Sequence, residues 1–296
     1  MNGFFNVYKP GGMTSHDVVA AVRRASRERR VGHAGTLDPA AEGVLLVCVG
    51  PATRVAEYLM GGRKRYLATI VLGATTTTDD AEGQVLSRAD ASGVTRADVE
   101  AALASFVGRT TQVPPMYSAL KVHGRPLYEL ARAGAEVERE PRVVEIYELR
   151  LVDWEPPRLR VDVLCGKGTY IRTLAHDLGE RLGCGAYLER LRRTASGRFT
   201  VADAVPLREL LDALADGRWA DLIYPPDEAL LDLDAIVVGP EGERRMTTGS
   251  PWRPPAVLRR PPSRALCRVY SSAGEVVAIG AFDAAADNWH PVKTLV

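Results

Sequence analysis

The stretch GHAGTLDPAAEGVLLVCVG, residues 32–50, decides how the rest of the chain is read. Residues 44–49 are an uninterrupted apolar run bounded by Gly43 and Gly50, the pattern of a fully buried strand. Ahead of it lies a loop holding His33, Thr36 and Asp38. Asp38 directly precedes a proline, and a residue in that position is driven into extended backbone, so covalent geometry partly fixes the direction of its carboxylate. Gly35 and Gly43 permit a tight course and the close approach of another body. A loop aspartate is ordinarily a cap or a turn former, and a lone histidine is ordinarily structural. Folding by itself asks for neither at the mouth of a buried strand.

Outward from this stretch, residues 14–30 read as a helix. Thr14 and Asp17 have capping-box spacing, Val18, Val22 and Ala25 form one apolar face, and arginines fill the far end, where the helix dipole favours them. A helix from Pro51 to about Met60, a strand over 65–73, a polar turn over 75–85 and a helix over 96–107 follow. Residues 110–142 mix prolines, tyrosines and basic residues around a short helix at 127–133, and read as a loop-rich insertion with a surface task. Residues 143–154 and 158–166 alternate like an antiparallel pair. In TYIRTLAHDLGERLG, residues 169–183, Ile171, Leu174, Ala175, Leu178 and Leu182 recur at helical spacing. Another helix is expected within 203–234. Pro225-Pro226 and the charges after it mark a boundary, and short strands are expected beyond it. Strands and helices do not alternate as βαβ units, so the class is α+β.

The 296 residues, 46% hydrophobic and 25% charged, have the composition of a soluble globular protein. No run approaches the roughly 18 apolar residues a membrane span needs, and the first residues lack the order of a signal peptide, so a cytoplasmic location is expected. Cys48, Cys165, Cys184 and Cys267 are scattered without metal or disulfide spacing and read as reduced, buried thiols. The net charge of +1 conceals an uneven distribution. Residues 203–234 hold nine Asp/Glu against two Arg, a net of −7, which leaves +8 on the remainder. That surplus clusters in 23–30, 61–66 and 189–198, the footprint expected for a polyanionic partner. Arginines number 33 against five lysines, a bias suited to bidentate phosphate contact.

Several chemistries are excluded. GKGT at 166–169 fails as a phosphate-binding loop, because Gly168 follows Lys167 and Val161 stands where the first glycine belongs. No dinucleotide fingerprint and no metal-ligand spacing appears. Asp79 or Asp80 could pair with Asp38 as in a glycosidase, although both lie in the threonine-rich turn and are expected to face water.

GHAGTLDPAAEGVLLVCVG resembles the catalytic motif of the TruB-type tRNA pseudouridine synthases. YKPGGMTSHDVV near the start, KRYLATIVLG with TTTTDDAEG, PPMYSALKVHGRPLYELARAG and CGKGTYIRTLAHDLGERLGCGAYLERLRRTASGRF follow in that family's order. The resemblance covers about 3–200 continuously. It implies a mixed, largely antiparallel sheet flanked by helices over a catalytic domain of residues 1–226, and a small β-rich, PUA-like RNA-binding domain over 235–296. It maps the nucleophile onto Asp38, the arginine that keeps it charged onto Arg172, and the tyrosine that stacks on the flipped base onto Tyr66. Tyr170 and Leu191 become further walls of the base pocket, and His33 the histidine that assists extrusion. Converting uridine to pseudouridine breaks N1–C1′ and rejoins the base through C5, with no redox change, so no cofactor and no metal is expected. The implied substrate is uridine 55 in the T loop of tRNA, bound by a monomer. Three competitors remain: a tRNA-binding protein without chemistry, a guide-RNA-dependent synthase, and a nucleoside hydrolase pairing Asp38 with Asp79 or Asp80.

Overall fold

The computed structural model describes residues 1–118, 120–122, 124–132, 137–253 and 261–296; parts of the 110–142 insertion, the end of its short helix and residues 254–260 of the C-terminal region lie outside. Among the described residues one large sheet runs in the order Val205–Pro206, Gly3–Lys9, Glu42–Val49, Ala186–Ser196, Lys64–Leu72, Arg158–Cys165, Arg142–Glu155, Gly108–Gln112. Most neighbours are antiparallel. Two joints are parallel: Val205–Pro206 on Gly3–Lys9, and Ala186–Ser196 on Glu42–Val49. The class is α+β, with a mixed, largely antiparallel sheet, as read from the sequence.

One sheet face carries the core. Residues at alternate positions, Tyr66, Ala68 and Ile70 on one strand and Leu159, Val161 and Val163 on its neighbour, are buried there. Against them pack Val18, Val19 and Val22 of the Ser15–Ser26 helix and Ile171, Leu174, Ala175 and Leu178 of the Ile171–Arg181 helix. The first helix has the expected capping box at Thr14 but stops at Ser26, because Arg27 turns left-handed at φ 55°. Arg27, Arg29 and Arg30 therefore leave the helix. The segment after Pro51 begins as a 3-10 turn, Gly50–Val55, before the helix Ala56–Gly61.

The largest departure from the sequence reading is Ala186–Ser196. It is a central strand, joined to Glu42–Val49 on one side and to Lys64–Leu72 on the other, where the sequence reads as a charged surface run. Its joint with Glu42–Val49 spans two registers, Arg192 with Glu42 and Arg193 with Gly43. A Cβ on Gly43, which has φ +104°, would lie 2.2 Å from the Arg193 carbonyl oxygen. The close approach anticipated from this glycine is the approach of this strand.

Beyond Tyr224, Asp234–Val237, Leu266–Tyr270, Val276–Asp283 and Asn288–Thr294 form a separate four-stranded sheet covered by the helix Pro240–Thr247. It has its own core around Met246, Val269, Phe282 and Trp289. A second cluster, joining Val276, Ile279 and Leu295 to Ala52 and Val55, seats this sheet on the segment after the opening stretch. Among the described residues no helix is long and apolar enough to cross a membrane.

The Gly43 contact makes a quantitative demand. Gly43→Ala must relieve an overlap with backbone and a left-handed φ together, so it should lower the unfolding free energy by about 3 kcal/mol in urea titration. An alanine variant of wild-type stability would show that the two-register joint has room to spare.

Candidate active site

The Asp38 loop is held by donors from four directions. Lys9, fully buried, gives its ammonium to the carbonyls of Pro10, Met13 and Pro39 at 2.9, 2.6 and 3.0 Å. Burial pulls its pKa down to about 8. The Ser15 hydroxyl bonds both sides of Leu37, accepting from its N–H at 2.9 Å and donating to its carbonyl at 3.1 Å. Gly12 N–H donates to Pro39 O at 2.9 Å. Arg193, 1% exposed, donates to Val44 O, Thr36 O and Gly35 O at 2.7, 3.2 and 3.0 Å. The carbonyls on both sides of Asp38 are thus fixed, and the carboxylate projects from a rigid loop.

Arg172 meets it from the second residue of the Ile171–Arg181 helix. Its Nε lies 2.9 Å from Asp38 Oδ2 and its Nη2 donates to Asp38 Oδ1 at 3.1 Å, a bidentate pair. The same Nη2 donates to Tyr117 O at 2.7 Å, while Nη1 donates to Thr78 O at 3.4 Å and stands 3.7 Å from Asp80 Oδ2. The arginine side chain is 5% exposed and the Asp38 side chain 37%, so the ion pair opens to solvent on the aspartate side. Desolvation raises the Asp38 pKa above its ordinary value, and Asp80 adds to the rise; Arg172 pulls the other way and does not win. The lowering expected from Arg172 alone has the right sign and is outweighed.

Asp79 and Asp80 do not face water as the sequence suggests; their side chains are 28% and 16% exposed. Their loop is stitched to the central strand by Leu188 N–H on Asp79 O and Ala81 N–H on Leu188 O, both at 3.0 Å. The Asp80 carboxylate accepts from the Thr78 hydroxyl and from Glu82 N–H, while Asp79 faces His176 Nδ1 at 3.1 Å. Neither is aimed at Asp38 as a second acid.

Tyr66 and Leu191 share the inner sheet face with Arg193: Tyr66 pairs with Arg193, and Leu191 with Ala68. Tyr66 is buried, and burial pushes its phenol up, with the Arg193 guanidinium opposing and the charge of Asp38 adding. Leu191 is a half-buried residue of the Ala186–Ser196 strand. Tyr170 stands at the N-cap position of the Arg172 helix without a side-chain capping bond. His33 ends the Val31–His33 strand, edge-on to His16 with ring centroids 5.3 Å apart. Burial, His16 and Arg193 pull its pKa down to about 4, which leaves the imidazole neutral at pH 7. The structure pairs Asp38 with Arg172 directly and sets Tyr66, Tyr170 and Leu191 on neighbouring elements. His33 touches His16, with no contact to Asp38 among the described residues. Arg193 and Ser15 escaped the sequence reading, and Asp80 entered it only as a partner acid for Asp38. Among the described residues no group of three or more His, Cys, Asp or Glu side chains is placed to hold a metal.

Comparison with known proteins bears on this geometry. Residues 23–171 match the TruB family pseudouridylate synthase N-terminal domain, and residues 172–237 the tRNA pseudouridylate synthase B C-terminal domain. A tRNA pseudouridine synthase B of Symbiobacterium thermophilum is 52% identical over 252 residues, covering 84% of this chain and 82% of that protein. Another, of Dehalococcoides mccartyi strain BAV1, is 43% identical over 297 residues, covering 100% of this chain and 97% of that protein. Among solved structures, that of the archaeal box H/ACA sRNP Nop10-Cbf5 complex superposes with a TM-score of 0.74 at 25% identity, over 100% of this chain and 86% of the other. A Cbf5-Nop10-Gar1 complex gives 0.71 at 28% identity, over 95% and 78%. The chain belongs to the TruB family of pseudouridylate synthases.

Proposed function

We propose that this enzyme isomerises uridine 55 in the T loop of tRNA, with Asp38 as the group that acts at the glycosidic centre. One observation carries the reading: a carboxylate on a rigid loop is paired bidentately by a buried Arg172 and stays open to solvent on its other side. The substrate base leaves its stack at a cost of a few kcal/mol. Stacking on an aromatic ring returns about 1–3 kcal/mol per base, so Tyr66 offsets most of that cost. The N1–C1′ bond breaks, the base turns, C5 bonds to C1′, and the C5 proton leaves to solvent while N1 gains one. Atoms balance without an oxidant, and the Tyr66 phenol and the His33 imidazole are neutral at pH 7.

Residues 1–226 act as the catalytic unit and 235–296 as a PUA-like RNA-binding unit, and we assign the stem of the substrate to the arginine clusters and the 110–142 insertion. The enzyme works as a monomer on bare tRNA. The curated relatives that span nearly the whole chain carry the tRNA synthase name, which supports this over a guide-dependent mode.

Release of tritium from tRNA carrying 5-tritiated uridine should reach one equivalent with the wild type. It should vanish in Asp38→Asn while the tRNA dissociation constant stays within about threefold. Release of free uracil would establish a hydrolase, and binding without release a chaperone. Because Asp38 titrates above its ordinary 3.8, the ionised fraction is lost early on acidification, and the acid limb of the single-turnover rate should have its midpoint above that value. Arg172→Met removes the largest opposing pull and should move the limb further up; a downward move refutes the pairing. Affinity for tRNA should fall steeply with salt, about tenfold or more between 50 and 200 mM. A flat response would remove the arginine clusters from the interface.

A further inference from the structure

The helix that carries Arg172 starts without a cap of its own. Tyr170, its N-cap residue, offers no side-chain oxygen to the first turn. In place of a cap, Gln112 reaches in from the end of the Gly108–Gln112 strand. Its Oε1 accepts from Tyr170 N–H at 3.0 Å and its Nε2 donates to Tyr170 O at 3.2 Å. The orientation of the amide is fixed by its partners, since a backbone N–H demands the oxygen and a carbonyl demands the nitrogen. Tyr170 O also accepts from Leu174 N–H at 3.1 Å, the first bond of the helix. Gln112 is 3% exposed, so both bonds are made away from water.

Two consequences follow from where Gln112 stands in the chain. It fixes the backbone of Tyr170, a wall of the proposed base pocket, and thereby the direction in which Arg172, two residues on, leaves the helix. It is also the last strand residue before the segment whose Tyr117 carbonyl accepts from Arg172 Nη2 at 2.7 Å. The next residue, Val113, is bonded to the same helix through Thr173 Oγ1 at 3.3 Å. One amide thus clasps the root of the insertion to the start of the catalytic helix.

We propose that Gln112 is a positioning residue for the isomerisation: its two bonds to the Tyr170 backbone set the Arg172–Asp38 geometry and tie the insertion to it. This rests on the reading that the Arg172–Asp38 pair carries the reaction. Neither the sequence reading nor the family comparison assigns Gln112 a role.

The experiment compares wild type, Gln112→Met, Gln112→Glu and Thr173→Val in single-turnover tritium release across pH, with tRNA binding and thermal melting measured on each. Gln112→Met removes both bonds. Gln112→Glu keeps the acceptor and, when ionised, loses the donor. Thr173→Val cuts the same seam without touching Tyr170. The expected result is a fall in single-turnover rate of about 10- to 100-fold for Gln112→Met. Its tRNA affinity should stay within about threefold, and its acid limb should move up as Arg172 loosens from Asp38. Gln112→Glu should lose less than Gln112→Met and recover relative to wild type as pH falls, because a protonated carboxyl again offers both an acceptor and a donor. Thr173→Val should lower the melting temperature with little change in rate. If Gln112→Met does not fold, Gln112→Glu carries the test. Gln112 variants that melt earlier yet keep the wild-type rate and acid limb, or a Thr173→Val that loses rate equally, overturn the proposal. Absence of release from the wild type would instead overturn the underlying function.

Discussion

Burying the guanidinium of Arg172 obliges the chain to surround it with acceptors, because an unpaired buried charge costs several kcal/mol. Its partners come from three places distant in sequence: Asp38 in the opening loop, Thr78 and Asp80 in the threonine-rich turn, and Tyr117 in the insertion. Asp38, Thr78 and Tyr117 lie in irregular backbone, and the threonine-rich turn is anchored besides by the bridge of Asp80 to Leu188. The arginine is therefore a convergence point whose satisfaction requires all three segments to be in place at once. Local folding meets this constraint only if the helix presenting Arg172 has a well-defined start.

A second layer of buried cations stands behind the first. Lys9 and Arg193 spend their donors on backbone carbonyls of the Asp38 loop and of the strand that follows it. A carbonyl accepts such a bond without neutralising the charge, so these two cations add positive potential at the site while stiffening it. Burial resists this arrangement, as the lowered pKa of Lys9 records. The two-register parallel joint between Glu42–Val49 and Ala186–Ser196 is where it is accommodated, with the Arg193 backbone against Gly43 and its side chain reaching along the loop. Sheet topology and site rigidity are one structural fact here.

Much of this was legible in the sequence. The apolar run at 44–49, the capping box at Thr14, the antiparallel pair after 142 and the α+β class follow from local pattern. The strand Ala186–Ser196 was not legible, since Glu189, Arg190 and Arg192 on its outer face suggest a solvated surface and its bulges break strict alternation. The pairing of Arg172 with Asp38 came from family resemblance; spacing of 134 residues carries no local signal. Gln112 was invisible for a related reason: its proposed role lies in two bonds to the backbone of a residue 58 positions away, and backbone has no sequence signature. The direction of the Asp38 pKa was also out of reach, because it depends on how far desolvation exceeds a known attraction.

Two carboxylates share the one guanidinium, and their surroundings set them apart. Asp80 is 16% exposed, and one of its oxygens accepts from a hydroxyl and a backbone N–H that cannot leave. Asp38 is 37% exposed, and Arg172 supplies the hydrogen bonds its side chain receives among the described residues. A carboxylate held by several fixed donors is stabilised in its ground state and gains little from attacking or deprotonating anything. One that is desolvated, singly partnered and open on a side has charge to offer to a centre that develops positive character, and its partner holds it in line while it does so. The same contrast argues against hydrolysis by a carboxylate pair, in which the second group would have to carry a proton toward a leaving atom. Asp80 is turned toward Arg172 and Asp79 toward His176, so in the mechanism proposed above Asp38 acts alone, with a fixed counter-charge behind it.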